Sequence, residues 1–539
     1  MLPPVTDSVR SIWGWGHADR FPDREQRAGM GQWAQALLGF DVGPPQDPAP
    51  LPPLATPRIT LPASLATLGS TTDADRAAHA YGKSYEDIQR GFRGQYPHPP
   101  DVIARPTTEQ HVTDLLDWCG SNDVAAIPFG GGTSVVGGVE ADVGDRWRGV
   151  LTMDLRGLDR VLEVDPVSRA ARIQAGATGP VLNRQLATHG FELRCFPQSY
   201  QFATLGGWIV TRAGGHYATV RTHVDDLVES VRMLTPSGAW ESRRLPGSGA
   251  GPSPDRMVLG SEGTLGVVTE AWMRVVRPPR WRASASVRFD DWDRAVDALR
   301  AVAQAGLAPA NCRLLDATEA RINAVAQDGR HVLLLGFESD DHPLQPWMQR
   351  ALQLAIEAGG QCPKGARYRD AGEAGSDPTA SSWRDAFFAG PYLRDTLISL
   401  GVIVDTFETA ITWDRFADLH GALQAELGDA MRRICGGGTL SCRITHVYPD
   451  GPAPYYTFLA PGRIGAELEQ WAELKAIASD LLLEHGATIT HHHAVGRMHR
   501  PWYAKQRPAP FGRVLRAIKS SVDPAGVMNP GVLVAEEST

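Results

Sequence analysis

The residues of this 539-residue chain best suited to chemistry lie late in the sequence. Three consecutive histidines, His491, His492 and His493, stand in THHHAVG. Imidazole titrates near neutrality and passes a proton in either direction, so acid–base work suits them. In an extended segment alternate side chains point to opposite faces, so at most two of the three converge. A zinc site made from these three alone is therefore poor geometry, and no metal is expected. A solvated polar loop is the alternative, and the position after the apolar LLLEHGATIT argues against a purification tag. Tyr455 lies in PAPYYTF beside Tyr456. A phenol is a weak base at its ordinary pKa of about 10 and needs cationic or hydrogen-bonding neighbours to act at neutral pH. The histidines are expected to supply them; otherwise the pair reads as two half-buried strand tyrosines. Arg394 in PYLRD and Arg443 in CRITH carry guanidinium groups that suit a carboxylate or phosphate, although a lone arginine is more often a surface ion pair.

Upstream, three glycine-rich stretches suit a large ligand. The first, Pro128 to Gly138, reads PFGGGTSVVGG and follows a short apolar run. Glycine loses too much freedom to favour a helix or strand here, but it lets successive backbone N–H groups form a concave nest for an anion. Thr133 and Ser134 add hydroxyls. The stretch is neither a Walker A loop nor the dinucleotide G-x-G-x-x-G. The second, Phe196 to Gly215, places two glycine pairs around an apolar run, with Thr204, Thr211 and Arg212 as donors. Glycine pairs allow backbone to lie against a flat ring; two turns around a buried strand are the alternative. The third, LGSEGTLGVVTEA from Leu259 to Ala271, is again small and hydroxyl-rich. Three such loops in one domain favour a shared ligand.

The elements that must position these residues predict an α+β chain. Residues 41–67 are proline-rich and read as a linker or wrapping arm. Thr107 to Gln110 forms a capping box opening a helix that Gly120 ends. From Val124 to Val276 short strands predominate, interrupted by a helix in TGPVLNRQLATHG. After Pro278 the pattern alternates strand and helix, predicting a second domain whose antiparallel sheet is covered by helices. A polar interruption near 366–382 is expected to be mobile. The expected division is 1–97, an N-terminal helical region with the proline-rich linker; 98–280, the ligand domain of the glycine loops; 281–486, a cap or substrate domain; and 487–539, a C-terminal segment whose histidine loop packs back near the ligand.

Composition narrows the partners. Lys and Arg total 53 against 61 Asp and Glu, a net charge of −8 that disfavours nucleic acid. Six scattered cysteines without a C-x-x-C fit neither a disulfide scaffold nor a zinc ribbon, and a reducing cytoplasm is expected. The opening MLPPVTDSVRSIWGWG lacks the basic and apolar regions of a secretory signal, and EEST is no peroxisomal address. No apolar run approaches bilayer-spanning length.

Taken together, PFGGGTSVVGG, ATLGGWIVTRAGG and GSEGTLGVVTEA resemble the FAD domain of the vanillyl-alcohol oxidase/p-cresol methylhydroxylase superfamily. PYLRDTLISLGVIVDTFETAITWDR, CRITHVYPDGPAPYYTF, THHHAVGRMHRPWY, WGWG and VDPAGVMNPG extend the resemblance to its alkyldihydroxyacetonephosphate synthase family, over most of residues 11–532. The resemblance implies a two-part FAD-binding domain and a cap domain. It implies FAD contacts at Pro128, Phe129, Gly130, Gly131, Gly132, Thr133 and Ser134, then at Gln198, Ser199, Thr204, Gly206, Gly207, Thr211, Arg212, Ala213 and Gly214. The third loop adds Ser261, Glu262, Gly263, Thr264, Leu265, Gly266 and Val267. No histidine stands in the first loop, where covalent members often carry one, so FAD is expected to be held non-covalently; His216 is the competing histidine.

The resemblance also assigns roles. Tyr455 is the catalytic tyrosine, with Tyr456 a departure from the usual apolar aromatic. His491, His492 and His493 help the attacking alcohol lose its proton, and Arg394 contacts substrate, with Arg443 a second candidate for that contact. The implied reaction uses flavin without net redox, exchanging the acyl chain of acyl-dihydroxyacetonephosphate for a fatty alcohol to give an ether lipid precursor. The alternatives are an FAD-linked oxidase or dehydrogenase of a 2-hydroxy acid or alcohol, and a non-catalytic flavin or lipid carrier. Lipid-like substrates imply peripheral membrane contact, for which His499 to Arg513, with Trp502, Tyr503 and Phe511, is the candidate; a covering loop over the flavin is its alternative. A homodimer is compatible with this reading.

Overall fold

The computed structural model describes residues 9–217, 219–370 and 378–534. Residues 371–377 of the polar interruption, the first eight residues and the EEST terminus lie outside them. Three sheets organise the chain. The first contains β1 (Gly69–Ser70), β2 (Val102–Ala104), β3 (Val124–Phe129) and β4 (Gly149–Asp154), ordered β1-β2-β4-β3. Strands β2, β4 and β3 are parallel, and β4 is buried along its whole length. That two-sided burial is why VAAIPF and GVLTMD read as apolar runs without alternation. The glycine-rich loop leaves the carboxyl end of β3, the edge where open parallel sheets hold ligands.

The second sheet is antiparallel: β5 (Val161–Asp165), β6 (Ala170–Gln174), β7 (Val228–Thr235), β8 (Gly238–Glu241) and β9 (Val267–Arg274), ordered β5-β6-β9-β7-β8. The third holds β10 (Trp281–Phe289), β11 (Asn311–Leu315), β12 (His331–Ser339), β13 (Arg367–Arg369), β14 (Val402–Glu408), β15 (Thr439–Val447) and β16 (Pro452–Pro461). Its order is β13-β10-β12-β11-β15-β16-β14, antiparallel throughout. Strand β10 alternates as ASASVRF does, sending Ala283, Ala285, Val287 and Phe289 into the core beneath helices Trp292–Gln304 and Gln345–Glu357.

The proline-rich arm wraps as expected: Gly43 and Gln46 N–H groups donate to Leu400 and Ser399 carbonyls at 2.9 Å, and Arg58 pairs with Asp101 at 2.7 Å. The N-terminal region contributes to both neighbours, since β1 joins the first sheet while Tyr85 and Ile88 sink into the core under the third.

Three local expectations are corrected. The helix Glu109–Ser121 is capped by Thr108, whose hydroxyl accepts the His111 N–H; the Thr107 N–H instead turns to the His111 ring. Gly120 lies within that helix, which stops where Asp123 adopts φ of 54°. The Gly206-Gly207 pair is not a turn beside a strand but the first turn of a helix, Leu205–Thr211, capped by Thr204.

Candidate active site

One continuous cavity runs from the β3 loop to the face of the third sheet. Pro128 to Ser134 line its first end. Among the described residues, no acceptor stands against the backbone N–H groups of Gly130, Gly131, Gly132, Thr133 and Ser134. Five consecutive free donors on the wall of a cavity form an anion nest. Glycine is required here by space: a Cβ on Gly131 would strike the Phe202 carbonyl, and Gly132 has φ of +63°. Arg10 fastens the loop from outside, its guanidinium donating to the Gly131 carbonyl at 2.9 Å. Burial, helped by Arg156, pushes Arg10 down to about 10.

The far end is built by strand register. Across β15, β16 and β14, Arg443 stands opposite Tyr455, and Tyr455 opposite Glu408, so the three form a row on one face. The Arg443 guanidinium lies 3.8 Å from the centre of the Tyr455 ring and pairs with buried Glu319. The Tyr455 hydroxyl donates to Thr406 Oγ1 at 2.9 Å. Burial pushes that hydroxyl up, and Arg443 offsets the push only in part. Tyr456 points to the opposite face, where its hydroxyl meets His420 Nδ1 at 3.1 Å. Arg394 also lines the cavity, held by Asp395 at 2.7 Å and by the Lys83 carbonyl at 2.9 Å. Ile322, Phe387, Leu393, Leu397, Val404 and Leu459 give the same cavity an apolar arm.

Glu408 shapes the histidine loop. Its carboxylate accepts the N–H groups of His491, His492 at 3.1 Å and His493 at 2.9 Å, and the Thr490 hydroxyl at 2.6 Å. Burial opposes the charge, yet these four donors help hold the carboxyl below its ordinary range. Wrapping around one carboxylate bends the loop, so the side chains do not simply alternate. His492 and His493 line the main cavity, whereas His491 lines a second one with Tyr448.

The rings then link edge to edge. His491 Nε2 lies 2.7 Å from the Tyr448 hydroxyl, which donates to Thr222 Oγ1 at 3.1 Å, and His491 Nδ1 lies 3.0 Å from His492 Nδ1. His446 joins from β15, bonded through Nε2 to the Gly215 carbonyl at 2.9 Å. One ring nitrogen from each of His446, His491 and His492 falls within 4.8 Å of the others. Burial pushes His491 and His492 well below the ordinary imidazole range, and His446 to about 3. These rings are neutral. The cationic neighbour of Tyr455 is Arg443 and its hydrogen-bond partner Thr406, where the histidines were expected as cationic or hydrogen-bonding neighbours.

Two family models match: FAD binding domain over residues 100–242, and FAD linked oxidases, C-terminal domain, over 278–533. Alkyldihydroxyacetonephosphate synthase of Dictyostelium discoideum is 29% identical over 485 residues, covering 85% of this chain and 77% of the relative. The chain is an alkyldihydroxyacetonephosphate synthase-like flavoprotein. Glycolate oxidase subunit GlcD of Bacillus subtilis is 26% identical over 82% of this chain and 91% of its own. Among solved structures, an alkyldihydroxyacetonephosphate synthase superposes with a TM-score of 0.78 at 23% identity, over 97% of this chain and 98% of that one. p-Cresol methylhydroxylase superposes at 0.66 and 15% identity, over 87% and 94%. FAD is the cofactor, and the nest of free N–H groups suits its pyrophosphate.

In this flavoprotein most of the expected cofactor residues line the cavity: Pro128 to Ser134, Gln198, Ser199, Thr204, Gly206, Gly207, Thr211, Ala213, Gly214, Glu262, Gly263 and Gly266. Five do not. Arg212 turns outward to Asp225 at 2.8 Å, Ser261 and Thr264 bond within their own turn, and Leu265 and Val267 are core. Glu262 lines the cavity, but its carboxylate accepts the Val495 and Gly496 N–H groups at 2.9 and 2.7 Å, tying the third loop to the histidine segment. Burial pushes it up to about 7. His216 is not on the cavity wall.

Sequence reasoning missed Glu408, His446, Lys475, Glu319 and Arg313, all on the cavity or directly behind it. The usable signal was a charged residue closing an apolar strand, as in VIVDTFE, or interrupting one, as in CRITHV. Among the described residues no helix is long and apolar enough to cross a membrane. Of the expected membrane aromatics, Trp502 donates to Asp480 at 2.8 Å and Tyr503 is half-buried, while Phe511 is exposed beside Val514.

Proposed function

We propose that this flavoprotein exchanges the acyl chain of an acyl-dihydroxyacetonephosphate for a fatty alcohol, giving an ether-linked product without net redox. The observation that carries the reading is the joint placement of Arg394, Arg443, Tyr455, His492 and His493 on a cavity that also has an apolar arm. An oxidase of a small hydroxy acid has no need of that arm.

Gly130 to Ser134 would hold the FAD pyrophosphate, with Thr204, Gly206, Gly207 and Gly214 against the remainder. Bound FAD supplies the nucleophilic and electron-accepting ring chemistry. Arg394 and Arg443 orient the anionic end of the substrate, and the apolar arm takes the acyl and alkyl chains. Tyr455, a neutral phenol beside a guanidinium, holds or returns a proton at its hydroxyl oxygen. His492 and His493 are neutral bases facing the cavity, each with Nδ1 3.6 Å from a Glu408 oxygen. The carboxylate behind the ring stabilises the imidazolium that forms when the alcohol gives up its proton. FAD is held non-covalently.

The deciding experiment incubates palmitoyl-dihydroxyacetonephosphate with labelled hexadecanol. Labelled alkyl product without oxygen uptake supports the reading. Failure there, with oxygen-dependent turnover of a 2-hydroxy acid, moves the enzyme to the oxidase class of its GlcD-like relative. Phe511 and Val514, exposed on a helix with Arg513 and Arg516, are the proposed membrane contact; co-sedimentation with anionic vesicles, lost in Phe511→Ser, tests it. Assembly as a homodimer belongs to the same proposal and is read by light scattering.

A further inference from the structure

We propose that His492, His491 and Tyr448 form a proton path from the flavin cavity to the second cavity. The proposal rests on the reading that His492 receives the proton of the attacking alcohol. His492 lines the first cavity, His491 and Tyr448 line the second, and the two hydrogen-bonded steps between them measure 3.0 and 2.7 Å. The rim of the second cavity carries Arg415, Asp450, Asp480, Glu484 and Lys505, all exposed, so it meets bulk water.

Hydrogen-bond polarity fixes the direction. The Tyr448 hydroxyl gives its own proton to Thr222, so towards His491 it can only accept. His491 Nε2 therefore carries the hydrogen and Nδ1 the lone pair. His492 must then donate from Nδ1, which leaves its Nε2 as the basic nitrogen. Burial keeps both rings neutral at rest, so neither holds a proton that would block the chain.

The step balances. The alcohol O–H bond breaks as a bond to His492 Nε2 forms. The His492 Nδ1–H bond breaks as His491 Nδ1 gains the proton, and the His491 Nε2–H proton moves to the Tyr448 oxygen. As it does so the Tyr448 hydroxyl turns from Thr222 towards the second cavity, which Tyr448 itself lines, and its original O–H bond breaks to give that proton to water there. One proton enters, one leaves, and no electrons change hands; ring rotation restores the resting tautomers. Release of the displaced acid as a carboxylate requires such a net exit of one proton per turnover.

The test is Tyr448→Phe in the FAD-loaded enzyme. The expected result is a fall in kcat of roughly tenfold or more, with alcohol KM and flavin absorbance unchanged, a larger solvent isotope effect, and recovery on adding imidazole buffer. An undiminished kcat, or a loss that imidazole does not restore, overturns the path. Nitrogen-15 NMR of the wild-type histidines supplies a second readout, independent of turnover: His491 as the Nε2–H tautomer and His492 as Nδ1–H. The opposite tautomers, or zinc bound at His446, His491 and His492 in the purified protein, also overturn it. If the wild-type enzyme itself exchanges no acyl chain, the functional reading fails, and this is distinct from an active wild type with an equally active Tyr448→Phe.

Discussion

Replacing Glu408 by glutamine changes one oxygen to an amide nitrogen at the centre of the histidine loop. Oε1 accepts from Thr490, His492 and His493, and Oε2 accepts from His491. The amide nitrogen settles best at the Oε2 position, losing one bond and facing one N–H with another. The other three bonds pass from charge-assisted to neutral. Each such change is worth on the order of 0.5 to 1 kcal/mol, and removing a buried charge returns part of the sum, so a net loss of about 2 kcal/mol is expected. Because the folded carboxyl is held below its ordinary value, the stability it contributes is present above pH 4.5 and drains away as pH falls through the lowered folded value. Glu408→Gln should flatten this acid limb. Hydrogen exchange at residues 490–493 should accelerate about thirtyfold, the factor that 2 kcal/mol gives if the loop opens locally. FAD content should not change, since the glycine loops are untouched. Unchanged exchange rates at residues 490–493 would refute the claim that Glu408 organises the loop.

Other outcomes follow from the same geometry. Gly131→Ala, whose Cβ would meet the Phe202 carbonyl, should purify folded but depleted of flavin, read from absorbance against protein concentration. Acid precipitation should release FAD into the supernatant; colour that stays with the pellet contradicts non-covalent binding. Glu262 has a folded pKa raised to about 7, so the wild type should lose stability as pH rises from 4.5 to about 7. Glu262→Gln should lack that slope in a series of thermal melts.

The glycine loops were legible because a missing side chain is a visible demand: space requires glycine at Gly131, and space and φ together require it at Gly132. The layered α+β order was legible from strand periodicity, with β10 alternating and β4 continuously apolar. The chemical site was legible only in part. Tyr455 and the histidines stood out by type, but Glu408 and Arg443 flank Tyr455 through register between three strands, and register is invisible until the pairings are known. His446 reaches the histidine loop from another strand for the same reason. The capping residue was misplaced by one because Thr107 and Thr108 offer the same hydroxyl, and only the folded path decides which is used. Glu262 was read as a cofactor contact because its loop is one; its carboxylate turned out to hold two backbone donors from a segment more than two hundred residues later.

Asn529 also donates to the carbonyls of Gly138 and Glu262, and Lys519 to those of Thr264 and Met528. Two FAD loops are thus joined through residues translated long after both. A chain truncated before Asn529 would retain its glycines yet lack the fastening that brings them together.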